Sequence, residues 1–99
     1  MMMTFAHIDD IDVGCGATYS PCSDCYPATV IRKTRTTITI QDDSYRLVSG
    51  STSDGSAEYE YSRNEDGAVH VCRLTKRGWR SGGLRVSFGH RRYYYDPHF

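Results

Sequence analysis

Long apolar runs are missing from this 99-residue chain. No stretch approaches the ~18 apolar residues that a membrane-spanning helix needs, and mean hydropathy is −0.57. The opening MMMTFAHIDD lacks both the basic head and the apolar core of a signal peptide, so the expectation is a soluble protein of the cytoplasm. In a reducing compartment the four cysteines are free thiols or metal ligands before they are disulfides. Catalytic signatures are missing as well: no nucleophile elbow, P-loop or histidine pair surrounds the serines and histidines. The paired acids Asp9-Asp10 and Asp42-Asp43 would send their side chains to opposite faces of an extended chain, which does not suit a shared metal or proton. The sequence therefore predicts a protein that is not an enzyme.

Acid is the other notable absence, and it is a local one. Formal net charge is zero, yet Gly67 to Tyr95 contains Arg73, Lys76, Arg77, Arg80, Arg85, Arg91 and Arg92 and no carboxylate. The first third, Met1 to Ile31, has only acids: Asp9, Asp10, Asp12 and Asp24. From Gln41 to Asp66 acids outnumber Arg46 and Arg63. Such segregation suits a basic face that meets an anion. It equally suits acidic and basic strands that lie side by side and neutralise each other.

Helix signals are few, whereas eight tyrosines and nine glycines, with abundant Thr and Val, are the usage of short strands joined by tight turns. The clearest stretch runs from Tyr26 to Asp43. Ala28 and Val30 alternate with Thr29 and Ile31, a polar turn follows, and then Ile38 and Ile40 oppose Thr37, Thr39 and Gln41, the pattern of a β-hairpin. Before it, Gly14 and Gly16 flank Cys15 in an extended run to Tyr19, a mark of a bulge, a bend or close backbone approach. Phe5, Ile8 and Ile11 are spaced three apart and fit either a helical turn or an edge strand.

After it, residues 44–49 alternate again, and 50–56 is predicted to be an exposed loop. A second hairpin is expected to join Ala57–Tyr61 to Ala68–Leu74, closed at Asp66-Gly67 with the glycine at positive φ. Thr75 to Gly83 reads as a basic connection, Leu84 to Phe88 as a last strand, and His90 to Phe99 as an aromatic tail docked on the barrel or on another subunit. Five or six short strands favour closure, because closure removes exposed edges. The predicted fold is all-β: one domain over residues 1–99, a small SH3-like barrel or strongly bent antiparallel sheet at 13–89, a short N-terminal segment and a docked tail at 90–99.

Gly14 to Asp43, with Ala17, Tyr19, Ser20, Asp24 and Tyr26-Pro27-Ala28-Thr29-Val30-Ile31 leading into Ile38-Thr39-Ile40-Gln41-Asp42-Asp43, resembles the first three strands of SH3-like barrels of the Tudor type. The whole chain is also similar to a family of small β-rich bacteriophage and metagenomic proteins. Val13-Gly14, Gly16-Ala17-Thr18, Tyr26-Pro27-Ala28-Thr29-Val30, Tyr59, Tyr61, Arg63-Asn64, Lys76-Arg77-Gly78-Trp79 and the ending Tyr95-Asp96-Pro97, Phe99 carry that similarity. It implies a viral protein acting in the host cytoplasm against host defence, as a sponge for a nucleotide immune signal or as an inhibitor of a host defence protein. In that family the loop before Tyr26 need not contain cysteine, so no metal site comes with the resemblance.

Two constellations bear on chemistry. Cys22 and Cys25 have the spacing of a zinc knuckle, and His70 and Cys72 share a predicted strand face, so the four would make a Cys3His site, with Cys15 in reserve. A single Cys-x-x-Cys without a matching downstream knuckle equally describes inert, partly buried thiols. The basic third combines Arg77, Trp79, Arg80, Arg91, Arg92, Tyr93 and Tyr95, the guanidinium forks and rings that hold a phosphate and stack a base. The competing reading packs Trp79 into the barrel and leaves the arginines solvated. The expected function is binding of an anionic ligand such as a phosphorylated nucleotide. The alternatives are a nucleic-acid-binding barrel and an interaction module that oligomerises through its tail.

Overall fold

The structure, a computed structural model, describes residues 7–21, 23–50 and 57–94. A short 3-10 turn at Ile8–Asp10 precedes eight strands: β1 (Gly16–Ser20), β2 (Tyr26–Lys33), β3 (Thr37–Asp42), β4 (Ser44–Ser49), β5 (Glu58–Ser62), β6 (Val69–Thr75), β7 (Gly78–Ser81) and β8 (Leu84–Phe88). Six of them, β1-β2-β3-β6-β7-β8, form a closed barrel, every pair antiparallel and β8 returning to β1. The other two, β4 and β5, pair only with each other as an arm. The predicted all-β barrel is the fold. Among the described residues no helix is long and apolar enough to cross a membrane.

The hairpin read from Tyr26 to Asp43 is β2 and β3, with Val30 opposite Ile40 and a register shift between Val30 and Arg32. That bulge sharpens the local twist, which helps the sheet curl round. Alternation then sorts the side chains. Ala17, Ala28, Val30, Ile38, Ile40, Cys72, Trp79 and Val86 line the interior, and Ile11 joins them from the segment after the 3-10 turn. Ile11, Val30, Ile38 and Ile40 are at most 1% exposed, and burying each such side chain contributes ~1.5–3 kcal/mol.

Two expectations are corrected. The strand at Glu58–Ser62 does not pair with the one that follows it; it pairs back onto β4, and β6 pairs with β3. The physical reason lies in the turn at 63–68, which is docked rather than free. The Gln41 side-chain amide donates to the carbonyls of Glu65 (2.9 Å) and Gly67 (3.1 Å), and Asp42 N donates to Ala68 O (2.9 Å). With its own carbonyls satisfied by β3, this turn lays β6 against the barrel. Gly67 accordingly has no positive φ; a Cβ there would come within 2.3 Å of Asp42 O.

The basic connection Thr75 to Gly83 also contains a strand. Thr75 pairs with Gly78 and Ser81 with Leu84, so two-residue turns flank β7. Its one large inward side chain is Trp79, opposite both Leu74 and Val86.

Gly67→Ala should therefore destabilise by about 1–3 kcal/mol, the usual cost of forcing atoms into a packed site. Gly83→Ala, where nothing lies within 4 Å, should be close to neutral. Chemical denaturation of the two variants checks the contrast.

Candidate anion-binding cleft

Asp43 is the single residue between β3 and β4, where the chain leaves the barrel for the arm. Its backbone N donates to Pro27 O (3.0 Å), and its carboxylate is 1% exposed. A carboxylate so buried must be paired and hydrogen-bonded. Arg91 Nε donates to Oδ2 at 2.8 Å, Thr29 Oγ1 donates to Oδ1 at 2.7 Å, and Arg63 Nη1 lies 3.7 Å from Oδ1. Arg91 Nη2 also donates to Thr29 Oγ1 (3.0 Å), and Arg63 Nη2 to Gln41 Oε1 (3.1 Å).

Four sequence-distant pieces meet at this carboxylate: β2, the root of the arm, the return from β5, and the tail. Above it an open cleft of about 440 Å3 is lined by Thr29, Tyr61, Ser62, Arg63 and Arg91. Two guanidinium groups face one carboxylate there, so the cleft carries excess positive charge, and the bonds described leave N–H donors on both arginines unused.

The tail runs along the barrel to reach this point. Gly89 N donates to Gly16 O, Thr18 Oγ1 donates to His90 O, and Tyr94 exchanges both backbone bonds with Cys25. Gly16 has to be small: a Cβ there would meet the Arg91 side chain at 3.0–3.3 Å. Tyr93 N donates to Tyr61 Oη (2.8 Å), and the Tyr93 ring stacks on Tyr45 at 3.8 Å and meets Tyr59 edge-on. Burial, reinforced by Tyr45, pushes the Tyr93 phenol well above its ordinary range.

On the inward side, Asp42 accepts from Tyr19 Oη (3.1 Å) and His70 Nε2 (2.9 Å), with the Tyr19 ring 4.7 Å from the imidazole. Burial, followed by the Asp42 charge, raises the Tyr19 phenol. Asp42 and Asp43 thus serve opposite faces, as their adjacency requires.

The residues expected to share one site are spread over several places. Trp79 is in the core, 4% exposed and edge-on to Phe88 at 5.4 Å, so its ring is not open to a stacked base. Arg77 is exposed in the β6–β7 turn, and Arg80 lies on the outer barrel wall. Arg91 is in the cleft; Arg92 sits over the Tyr94 ring at 5.3 Å; Tyr93 belongs to the tyrosine cluster; Tyr95 lies outside the described residues. Arg63, Tyr61, Ser62 and Thr29 were not singled out by sequence, because Arg63 is embedded in the acid-rich middle of the chain. Its position directly after an alternating strand was the one available signal.

Of the expected zinc set, Cys22 lies outside the described residues. Cys25 Sγ accepts from Ser20 (3.4 Å), His70 is engaged with Asp42, and Cys72 is fully buried. Among the described residues no three His, Cys, Asp or Glu side chains converge as a metal site. Burial raises the Cys72 thiol from 9.0 to about 11, which disfavours the thiolate that a metal needs.

No protein-family model, curated protein or solved structure matches the chain. The functional reading rests on geometry.

Asp43→Asn should cost about 2–3 kcal/mol. This is less than the ~3–5 kcal/mol for breaking a wholly buried pair, because Arg91 and Arg63 keep 33% and 44% side-chain exposure and rehydrate. A double-mutant cycle with Arg91→Gln should give a coupling of ~1 kcal/mol or more.

The Cys72 shift predicts a pH effect. Between pH 9 and about 11 the unfolded thiol has lost its proton while the folded one keeps it. The folded state then binds more protons, so stability falls as pH rises through that window. Denaturation at a series of alkaline pH values should lose more stability in the wild type than in Cys72→Ala.

Proposed function

We propose that this chain is a non-enzymatic binding protein whose cleft at the arm root holds a compact anionic group, with phosphate the best match. The observation that carries the reading is the convergence of Arg63 and Arg91 on one open cleft with a single carboxylate between them. Guanidinium forks bind phosphate oxygens in pairs, and the hydroxyls of Thr29, Tyr61 and Ser62 in the lining suit the remaining oxygens. Asp43 fixes Arg91 before any ligand arrives, so little side-chain freedom is lost on binding. Tyr61, itself held by the tail, supplies an aromatic wall beside the charged groups.

A phosphorylated nucleotide has both parts, an anion and a flat ring, and is the ligand class favoured here. A role against host defence rests on the sequence resemblance to phage proteins and not on the cleft.

The test is a thermal-shift panel of pyrophosphate, mononucleotides, cyclic dinucleotides, cyclic trinucleotides and cyclic ADP-ribose isomers. A ligand at a hundredfold excess over Kd should stabilise by ~2.7 kcal/mol, which raises Tm by roughly 10–20 °C in a domain of this size. Arg63→Gln should abolish the shift while the protein stays folded. A panel in which nothing moves, or a shift that survives Arg63→Gln, removes the proposal.

A further inference from the structure

One inward side chain of the barrel is left half in water. Cys72 and Leu74 are two apart on β6 and so share a face, and Leu74 lies directly opposite Trp79. Cys72 and Trp79 are in the core, so Leu74 points inward with them, yet it is 49% exposed. Beside it, between the 3-10 turn and the β2–β3 turn, is a recess of about 270 Å3 lined by His7, Ile8, Arg35, Thr36, Leu74 and Trp79. It shares no lining residue with the cleft at Asp43.

The recess has an apolar floor and a polar rim. Ile8 packs against the core cluster that contains Trp79, and Leu74 completes the floor. On the rim, Arg35 is the one formally charged side chain. Among the described residues no carboxylate pairs with it. The turn that carries Arg35 is braced, since Thr34 Oγ1 accepts from the backbone N of Thr36 (3.4 Å) and of Thr37 (3.0 Å). His7 Nδ1 accepts from Asp9 N (3.2 Å), which leaves the ring proton on Nε2 as a donor. The Asp9 carboxylate lies 3.5 Å from that same Nδ1, on the edge of the ring away from the donor.

We infer that this recess binds a compact apolar monocarboxylate, one ring or one short branched chain bearing a single acid group. Arg35 holds the carboxylate, and Ile8, Leu74 and Trp79 take the apolar body. A guanidinium fork matches both oxygens of a carboxylate, and one fork balances one negative charge. A dianion would leave its second charge uncompensated against an apolar floor. Size sets the other limit. Benzene fits an apolar cavity of ~150 Å3 and drug-sized ligands take ~300–1,000 Å3, so the recess has room for a ring and a short acid arm. Seating such a body covers Leu74, which adds the hydrophobic share of the affinity.

Trp79 is the chain's only tryptophan, so its emission reports on the recess directly. The probes are phenylacetate, its neutral isostere phenylacetamide, and acetate, titrated at neutral pH and constant ionic strength. A single-ring acid of about ten non-hydrogen atoms should bind with Kd on the order of 1 mM. The amide, which lacks the charge-assisted bond, should bind about tenfold more weakly. Acetate, which lacks the apolar body, should also bind about tenfold more weakly or worse. Arg35→Gln, an exposed position in a turn, should keep the fold and erase the preference for acid over amide. In amide NMR spectra phenylacetate should move the signals of Ile8, Thr36 and Leu74 and leave those of Thr29, Ser62 and Arg63 in place.

The inference is overturned by any of four results: no saturable change in the millimolar range, equal binding of acid and amide, an acid preference that survives Arg35→Gln, or signals that move at the cleft instead of the recess.

Discussion

One buried carboxylate holds the molecule to its shape. Asp43 sits where the chain leaves the barrel, and an ion taken out of water is tolerable only with partners of opposite charge and filled lone pairs. Those partners come from β2, from the end of β5 and from the tail. A two-stranded hairpin is at best marginally stable alone, so β4 and β5 depend on this junction and on the Tyr93 ring stacked against Tyr45. Barrel, arm and tail are in this sense one cooperative unit, although the arm makes no β-ladder with the barrel.

The same junction explains why a protein with no net charge carries a basic cleft. Arg91 is bonded to the Asp43 carboxylate and Arg63 lies 3.7 Å from it, so their combined charge exceeds what Asp43 supplies. Elsewhere the segregation of charge along the chain is turned into segregation in space. The acid-rich arm pairs Arg46 with Glu60 at its surface, while β6 to β8 line up arginine against arginine. Neutralisation between facing strands, one of the two readings open at the start, operates on the arm.

Local pattern carried the sequence reading wherever a strand had two or more inward apolar residues. Val30, Ile38 and Ile40 declared the β2–β3 hairpin, and Leu84, Val86 and Phe88 declared β8. β7 escaped notice because it has four residues and one large inward side chain, Trp79, amid residues typical of loops. The pairing of β5 was misassigned for a different reason. Asp66-Gly67 has the composition of a hairpin turn, but tertiary bonds from Gln41 claim its carbonyls, and no local signal announces a bond between residues so far apart. The cleft was half legible: Arg91 stood out in an acid-free stretch, whereas Arg63 did not, and the convergence of the two is a property of the closed barrel rather than of any segment.

Closure between β1 and β8 sets the order in which the molecule can be made. During synthesis the early strands leave the ribosome first, at roughly 5–20 residues per second, and the free edge of Gly16–Ser20 has no mate until Leu84–Phe88 emerges. Nearly the whole barrel must be translated before its seam is sewn, and the strap that locks Asp43 comes later still. Contacts of such long sequence separation make for slow folding. The nascent chain is therefore a sheet with an unsatisfied border for most of its time on the ribosome, and premature termination anywhere before Phe88 would release it in that state.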